Sequence, residues 1–102
     1  MALLHTVNKS PFEKNSLATC LRLALEGSSV LLIEDGVYGA VDGTNVSELL
    51  SGAGNRLKLY VLGPDLQARG LSESDVMDGI KVIDYEGFVD LVVEHDATHA
   101  CL

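Results

Sequence analysis

Two cysteines, Cys20 and Cys101, are the side chains in this sequence best suited to sulfur or nucleophilic chemistry. Cys20 lies in "SLATCLRLALEG", residues 16–27, which reads as an amphipathic helix. On a helical wheel Cys20 falls between Leu23 and Ala24, inside a broad apolar arc, with Thr19, Arg22 and Glu26 on the polar side. Two readings of the thiol stand. One is a small buried hydrophobe, since free cysteine is among the most buried residue types. The other is a working thiol beside an interface or channel, because the arc is wider than one sheet face needs. Lys14 and Arg22 are the nearby cations that would favour a thiolate.

"HDATHAC" holds the other candidates. His95 and His99, four apart, share one face if the last helix continues to the chain end, and Cys101 follows. Such a set resembles part of a zinc site. No fourth ligand is evident, and His95 reads more simply as the polar end of an apolar stripe. No metal and no organic cofactor are expected. "IEDG" sets two carboxylates, Glu34 and Asp35, just past a strand, where open α/β sheets bind ligands. Asp-Gly is first of all a turn signal, and the turn is the expected role. There is no GxGxxG and no GxxxxGK[ST], and "GAGNR" follows a helix rather than a strand. The Asn45 sequon has meaning only in an exported protein.

The elements that must position these residues alternate. "LLHTV" and "VLLI" read as buried strands at residues 3–7 and 30–33. Between them runs the Cys20 helix, capped by Asn15 or Ser16 and stopped by Gly27. A short helix or turn near residues 37–41 precedes a helix around 46–50. "RLKLYVLG" is a third strand, with Leu57, Leu59 and Val61 alternating against Lys58 and Tyr60. Pro64 opens a short helix, and "IKVIDY" is a fourth strand. "EGFVDLVVEHDATHA" closes the chain as a helix, with Phe88, Leu91, Val92 and His95 on one stripe. Strands alternating with helices predict an α/β sandwich around a mainly parallel sheet, and near-continuous apolar strands predict cover on both faces.

Composition narrows the partners. At 102 residues the chain is the size of one domain, so residues 1–102 are read as a single domain. Seven Lys and Arg against fifteen acids, net charge −8, argue against a direct grip on nucleic acid or an anionic membrane. A hydrophobic content of 47% is high for so acidic a chain and predicts an apolar subunit interface. The start, "MALLHTVNKSPFEKN", lacks the pattern of a secretory leader, and no run has the length of a membrane span. A cytoplasmic location with two free thiols is the expectation.

Four segments, in order and correctly spaced, carry a resemblance over essentially the whole chain: "LLHTVNKSPFEKNSL", "VLLIEDGVYGA", "LKLYVLGPDLQARG" and "VIDYEGFVDLVVEHD". They resemble the DsrH family of DsrE-like sulfur-relay proteins and, more distantly, TusB. The resemblance implies a single flavodoxin-like, three-layer α/β domain with a small, mainly parallel four- or five-stranded sheet and helices on both faces. It implies one subunit of a cytoplasmic hetero-hexamer with DsrE-like and DsrF-like partners, relaying sulfur as cysteine persulfide and exchanging it with a DsrC-like carrier. In the Tus branch the related complex passes sulfur toward 2-thiouridine in tRNA. DsrH proteins of sulfur oxidisers resemble this chain in having a cysteine at the position of Cys20, which TusB proteins generally lack. The main sulfur-accepting cysteine of the family lies on the DsrE or TusD subunit. Family members often carry a tryptophan near the chain end, where this sequence has "HACL".

Three roles follow: a relay subunit with Cys20 as persulfide carrier, a structural subunit supporting a partner's cysteine, or a TusB-like subunit. A flavodoxin-like mononucleotide binder rests on fold analogy alone, and the loop after residue 7 lacks a phosphate-binding composition.

Overall fold

Apolar runs bounded by turn formers become the strands of the computed structural model, which describes residues 2–102. β1 (Leu3–Val7), β2 (Ser29–Leu32), β3 (Lys58–Leu62), β4 (Ile80–Ile83) and β5 (Ala97–Cys101) form one sheet in the order β4-β3-β2-β1-β5. Every neighbouring pair is parallel. The helices are α1 (Ser16–Leu23), α2 (Ser47–Ala53), α3 (Gly63–Ala68) and α4 (Tyr85–Glu94), with 3-10 turns at Glu34–Ala40 and Glu73–Asp75. The expected α/β class, parallel sheet and helices on both faces are therefore present.

Topology decides which face each helix covers. Crossovers between parallel strands are right-handed. The steps from β1 through β4 run one way across the sheet, so α1, α2 and α3 fall on one face. The return step from β4 to β5 puts α4 on the other. Packing agrees. Leu17 and Leu21 of α1, Leu50 of α2 and Leu66 of α3 join Val7, Val30, Leu32 and Val61 in the larger cluster. Leu91 of α4 joins Leu4, Leu31 and Leu62 in the smaller one. Fully buried strand leucines and valines of this kind stabilise by roughly 1.5–3 kcal/mol each. The α4 face is thinly covered, and Tyr85, Val89, Val92 and Val93 stay exposed on it.

Three sequence expectations change. The last helix does not run to the chain end. It stops at Glu94, His95 takes extended backbone, and residues from Ala97 pair with β1. The open edge of β1 offers unpaired backbone groups, and satisfying them outweighs the weak helical signal of the last residues. His95 instead closes α4, its Nδ1 donating to the Leu91 carbonyl at 2.6 Å while Nε2 accepts from Ser29 Oγ at 2.8 Å. α1 begins after Asn15 without a side-chain cap bond and ends at Leu23, four residues before Gly27. Gly27, at φ +87°, serves the turn into β2.

The "IEDG" carboxylates are structural, as the turn reading expected. Glu34 accepts from Asn8 Nδ2 at 3.4 Å, and its backbone N–H donates to Asp65 at 2.6 Å. Asp35 pairs with Arg69 at 2.9 Å.

Candidate functional site

Pleating of two strands lays out the base of the site. In the parallel β1–β5 pair His5 stands opposite His99, and Val7 opposite Cys101. Alternate residues of a strand share a face. His5, Val7, His99 and Cys101 therefore all point toward α1. From above, α1 presents Leu17, Cys20 and Leu21, all buried.

Cys20 and Cys101 meet there and are joined as a disulfide, their Cα atoms 6.2 Å apart. That separation lies inside the roughly 4.4–6.8 Å range a disulfide spans. The expectation of two free thiols is corrected: among the described residues no cysteine is free. Their separation of 81 positions in the chain gave no spacing signal. Only the docking of β5 beside β1 brings them together.

The imidazoles surround the pair. His5 Nδ1 and His99 Nδ1 lie 3.3 Å apart, the rings edge to face. One nitrogen must donate and the other accept, so at least one ring is neutral. Burial first, and then the neighbouring His99, push the His5 pKa below its ordinary 6.5. Burial therefore favours the neutral form of His5. His99 Nδ1 is also 3.8 Å from Cys101 Sγ, close enough to share or take the thiol proton once the disulfide is reduced.

A half-open pocket of about 370 Å³ lies beside the cluster, lined by His5, Cys20, His99 and Cys101 together with Lys14 and Leu23. Cys20 and Cys101 are only 5% and 8% exposed, so the pocket is their route to solvent. The far end of α1 is held by Arg56. Its guanidinium donates to the Leu21 carbonyl at 2.6 Å and the Ala24 carbonyl at 3.1 Å. Those carbonyls have no partner within the helix, and a cation there suits the helix dipole.

The sequence reading of His95, His99 and Cys101 as a partial zinc set is not assembled, because His95 is engaged with Leu91 and Ser29. The metal-type donors that do converge are His5, Cys20 and Cys101, with ligand atoms within 4.8 Å of one another. Joined as a disulfide, the two sulfurs offer no thiolate to a metal. Sequence reasoning placed Cys20 in the apolar arc of its helix, with core and interface both open, but missed His5, the partner cysteine and Arg56. The available signal was period two: His5 with Val7, and His99 with Cys101, each suit a strand rather than a helix.

Comparison with known proteins agrees with this architecture. The family described as DsrH like protein matches residues 9–98. TusB of Shigella flexneri is 43% identical over 98 residues, covering 96% of this chain and 99% of that one. TusB of Escherichia coli K12 matches with the same identity and coverage. Among solved structures, the ychN protein of E. coli superposes with a TM-score of 0.79 at 17% identity, over 98% of both chains. MTH1491 of Methanobacterium thermoautotrophicum gives 0.75 at 16% identity, over 97% of this chain and 96% of that one. These two distant likenesses concern the fold. With a family match across most of the chain and TusB relatives over nearly all of it, the chain belongs to the DsrH family of sulfur-relay proteins, in which TusB is its relative.

Proposed function

We propose that the chain is a subunit of a cytoplasmic DsrEFH-like hetero-hexamer that relays sulfur as cysteine persulfide. Cys20 is the carrier thiol, and a DsrC-like protein exchanges sulfur with the complex. The observation that carries this is the seating of Cys20 in a half-open pocket, with a buried histidine and a second histidine beside the sulfurs. In the reduced site the Cys20 thiolate attacks the outer sulfur of a donor persulfide. A new S–S bond forms on Cys20, and the donor's inner sulfur leaves as a thiolate. No cofactor takes part in that step. The exposed apolar side chains of α4, with Leu23 and Leu25 near α1, supply surface for DsrE-like and DsrF-like partners. With fifteen acids to seven cations, the chain makes no direct contact with nucleic acid or membrane. Among the described residues no helix is long and apolar enough to cross a membrane.

The 43% identity to TusB favours a second reading, a relay toward 2-thiouridine in tRNA. The cysteine at position 20 weighs against it.

The test uses the chain co-purified with its DsrE-like and DsrF-like partners, reduced, and loaded with a persulfide donor. Peptide mass spectrometry then locates the added sulfur. Sulfur on Cys20, passed on to a DsrC-like acceptor, is the expected result. Sulfur on a partner's cysteine alone, with a Cys20→Ser complex transferring at the wild-type rate, leaves this chain a structural subunit.

A further inference from the structure

We infer that Cys101 is a resolving thiol, which discharges a persulfide on Cys20 as sulfide and closes the Cys20–Cys101 disulfide. The inference rests on the reading of Cys20 as a sulfur acceptor and adds a second reaction at the same site. Three observations carry it. The backbone holds the two cysteines with Cα atoms 6.2 Å apart and their sulfurs already joined. Both line one pocket, so a sulfane sulfur delivered to Cys20 arrives beside Cys101. His99 Nδ1 lies 3.8 Å from Cys101 Sγ and can receive its proton.

The chemistry balances without an added oxidant, because the persulfide is the oxidant. Cys101 loses its proton to His99, and the thiolate attacks Cys20 Sγ, the inner sulfur of the persulfide. The bond from Cys20 Sγ to the outer sulfur breaks with its electron pair, and hydrosulfide leaves, taking a proton. One sulfane sulfur is reduced to sulfide while two thiols are oxidised to one disulfide. A dithiol reductant returns the pair to the open state. The site therefore holds sulfur for transfer only while the next acceptor outpaces Cys101. A persulfide that waits is released as sulfide.

His99 belongs to the same step as its general base. It touches the attacking sulfur and not the donor. Its loss slows closure of the disulfide.

The experiment uses the full chain, reduced and freed of reductant, then mixed with cysteine persulfide whose outer sulfur carries an isotopic label. Alkylation traps both labelled sulfide and labelled protein at timed intervals. In the wild-type chain the label is expected to leave as sulfide while the peptides of Cys20 and Cys101 become linked. In Cys101→Ser the label is expected to stay on Cys20, about tenfold more of it than in the wild type. Cys101→Ala, which keeps the position apolar, repeats the test should the serine loosen the sheet edge. His99→Ala is expected to slow sulfide release about tenfold. Equal retention of label in wild type and both Cys101 variants, without labelled sulfide, overturns the resolving role and leaves Cys20 as a carrier. Absence of label from Cys20 in every variant overturns the carrier reading itself, and the resolving role with it.

Discussion

His5 and His99, separated by 94 positions in the chain, face each other across the β1–β5 pair with their Nδ1 atoms 3.3 Å apart. The contact joins the edge strand to the sheet on the face that holds the cysteines. It also makes the protein sensitive to acid. The His5 pKa is lowered from 6.5 by burial and then by His99, so the unfolded chain binds a proton more readily than the folded one. Stability from this group is complete above the unfolded value and is lost as pH falls through the folded value. Melting temperature is expected to fall as pH drops below about 6.5, and His5→Gln to flatten that slope. Thermal melts from about pH 8 to about pH 5 check this, and identical profiles for both proteins would remove His5 as the cause.

The Cys20–Cys101 disulfide closes a loop spanning most of the chain, its ends separated by 81 positions. Such a crosslink restricts the unfolded chain strongly. The oxidised form is expected to be more stable than the reduced form by about 4 kcal/mol. Urea unfolding with and without reductant measures the gap. Cys101→Ser should unfold like the reduced wild type and ignore the reductant. A wild-type protein equally stable in both states would show that the pair contributes nothing to folding.

Arg56 ties the loop before β3 to the carbonyl end of α1 through Leu21 and Ala24. Arg56→Ala is expected to cost about 1 kcal/mol, the usual net worth of lost hydrogen bonds at a partly exposed site. Arg56→Lys restores the charge but not the fork that reaches two carbonyls, and should recover only part of the loss. Because α1 carries Cys20, faster alkylation of Cys20 in the reduced Arg56→Ala protein is the second expected sign. Unchanged alkylation would mean that α1 is held by its apolar face alone.

Gly36 marks where the turn after β2 passes against β1. A Cβ at this position would run into the Val7 carbonyl oxygen, a backbone atom that cannot step aside. That carbonyl also accepts from the Ile33 N–H at 3.0 Å, so moving it breaks the join of the two strands. Gly36→Ala is expected to cost roughly 3 kcal/mol or more, or to prevent folding. Gly43→Ala is the control. Nothing crowds a Cβ there, but φ is +78°, so about 1 kcal/mol is expected from backbone strain alone. Equal melting temperatures for the two variants would contradict the close approach at Gly36.

Local periodicity was enough to place Cys20 on a helix and to recognise four strands of the parallel sheet. Those features depend on side chains a few positions apart, which a linear reading contains. Leu17, Cys20 and Leu21 recur at helical spacing, and all three are buried beneath α1. The same reasoning failed at residues 97–101, where "ATHAC" has neither a strong strand composition nor a clear helical stripe. What makes that segment β5 is the free edge of β1, an environment supplied by residues near the other end of the chain. Once β5 docks there, the register pairs His5 with His99 and sets Cys101 beside Val7, beneath Cys20. The sequence by itself determined that a thiol would sit within the broad apolar arc of α1. Only the tertiary structure decided that it has a partner, because parallel pairing joins residues with no local relationship.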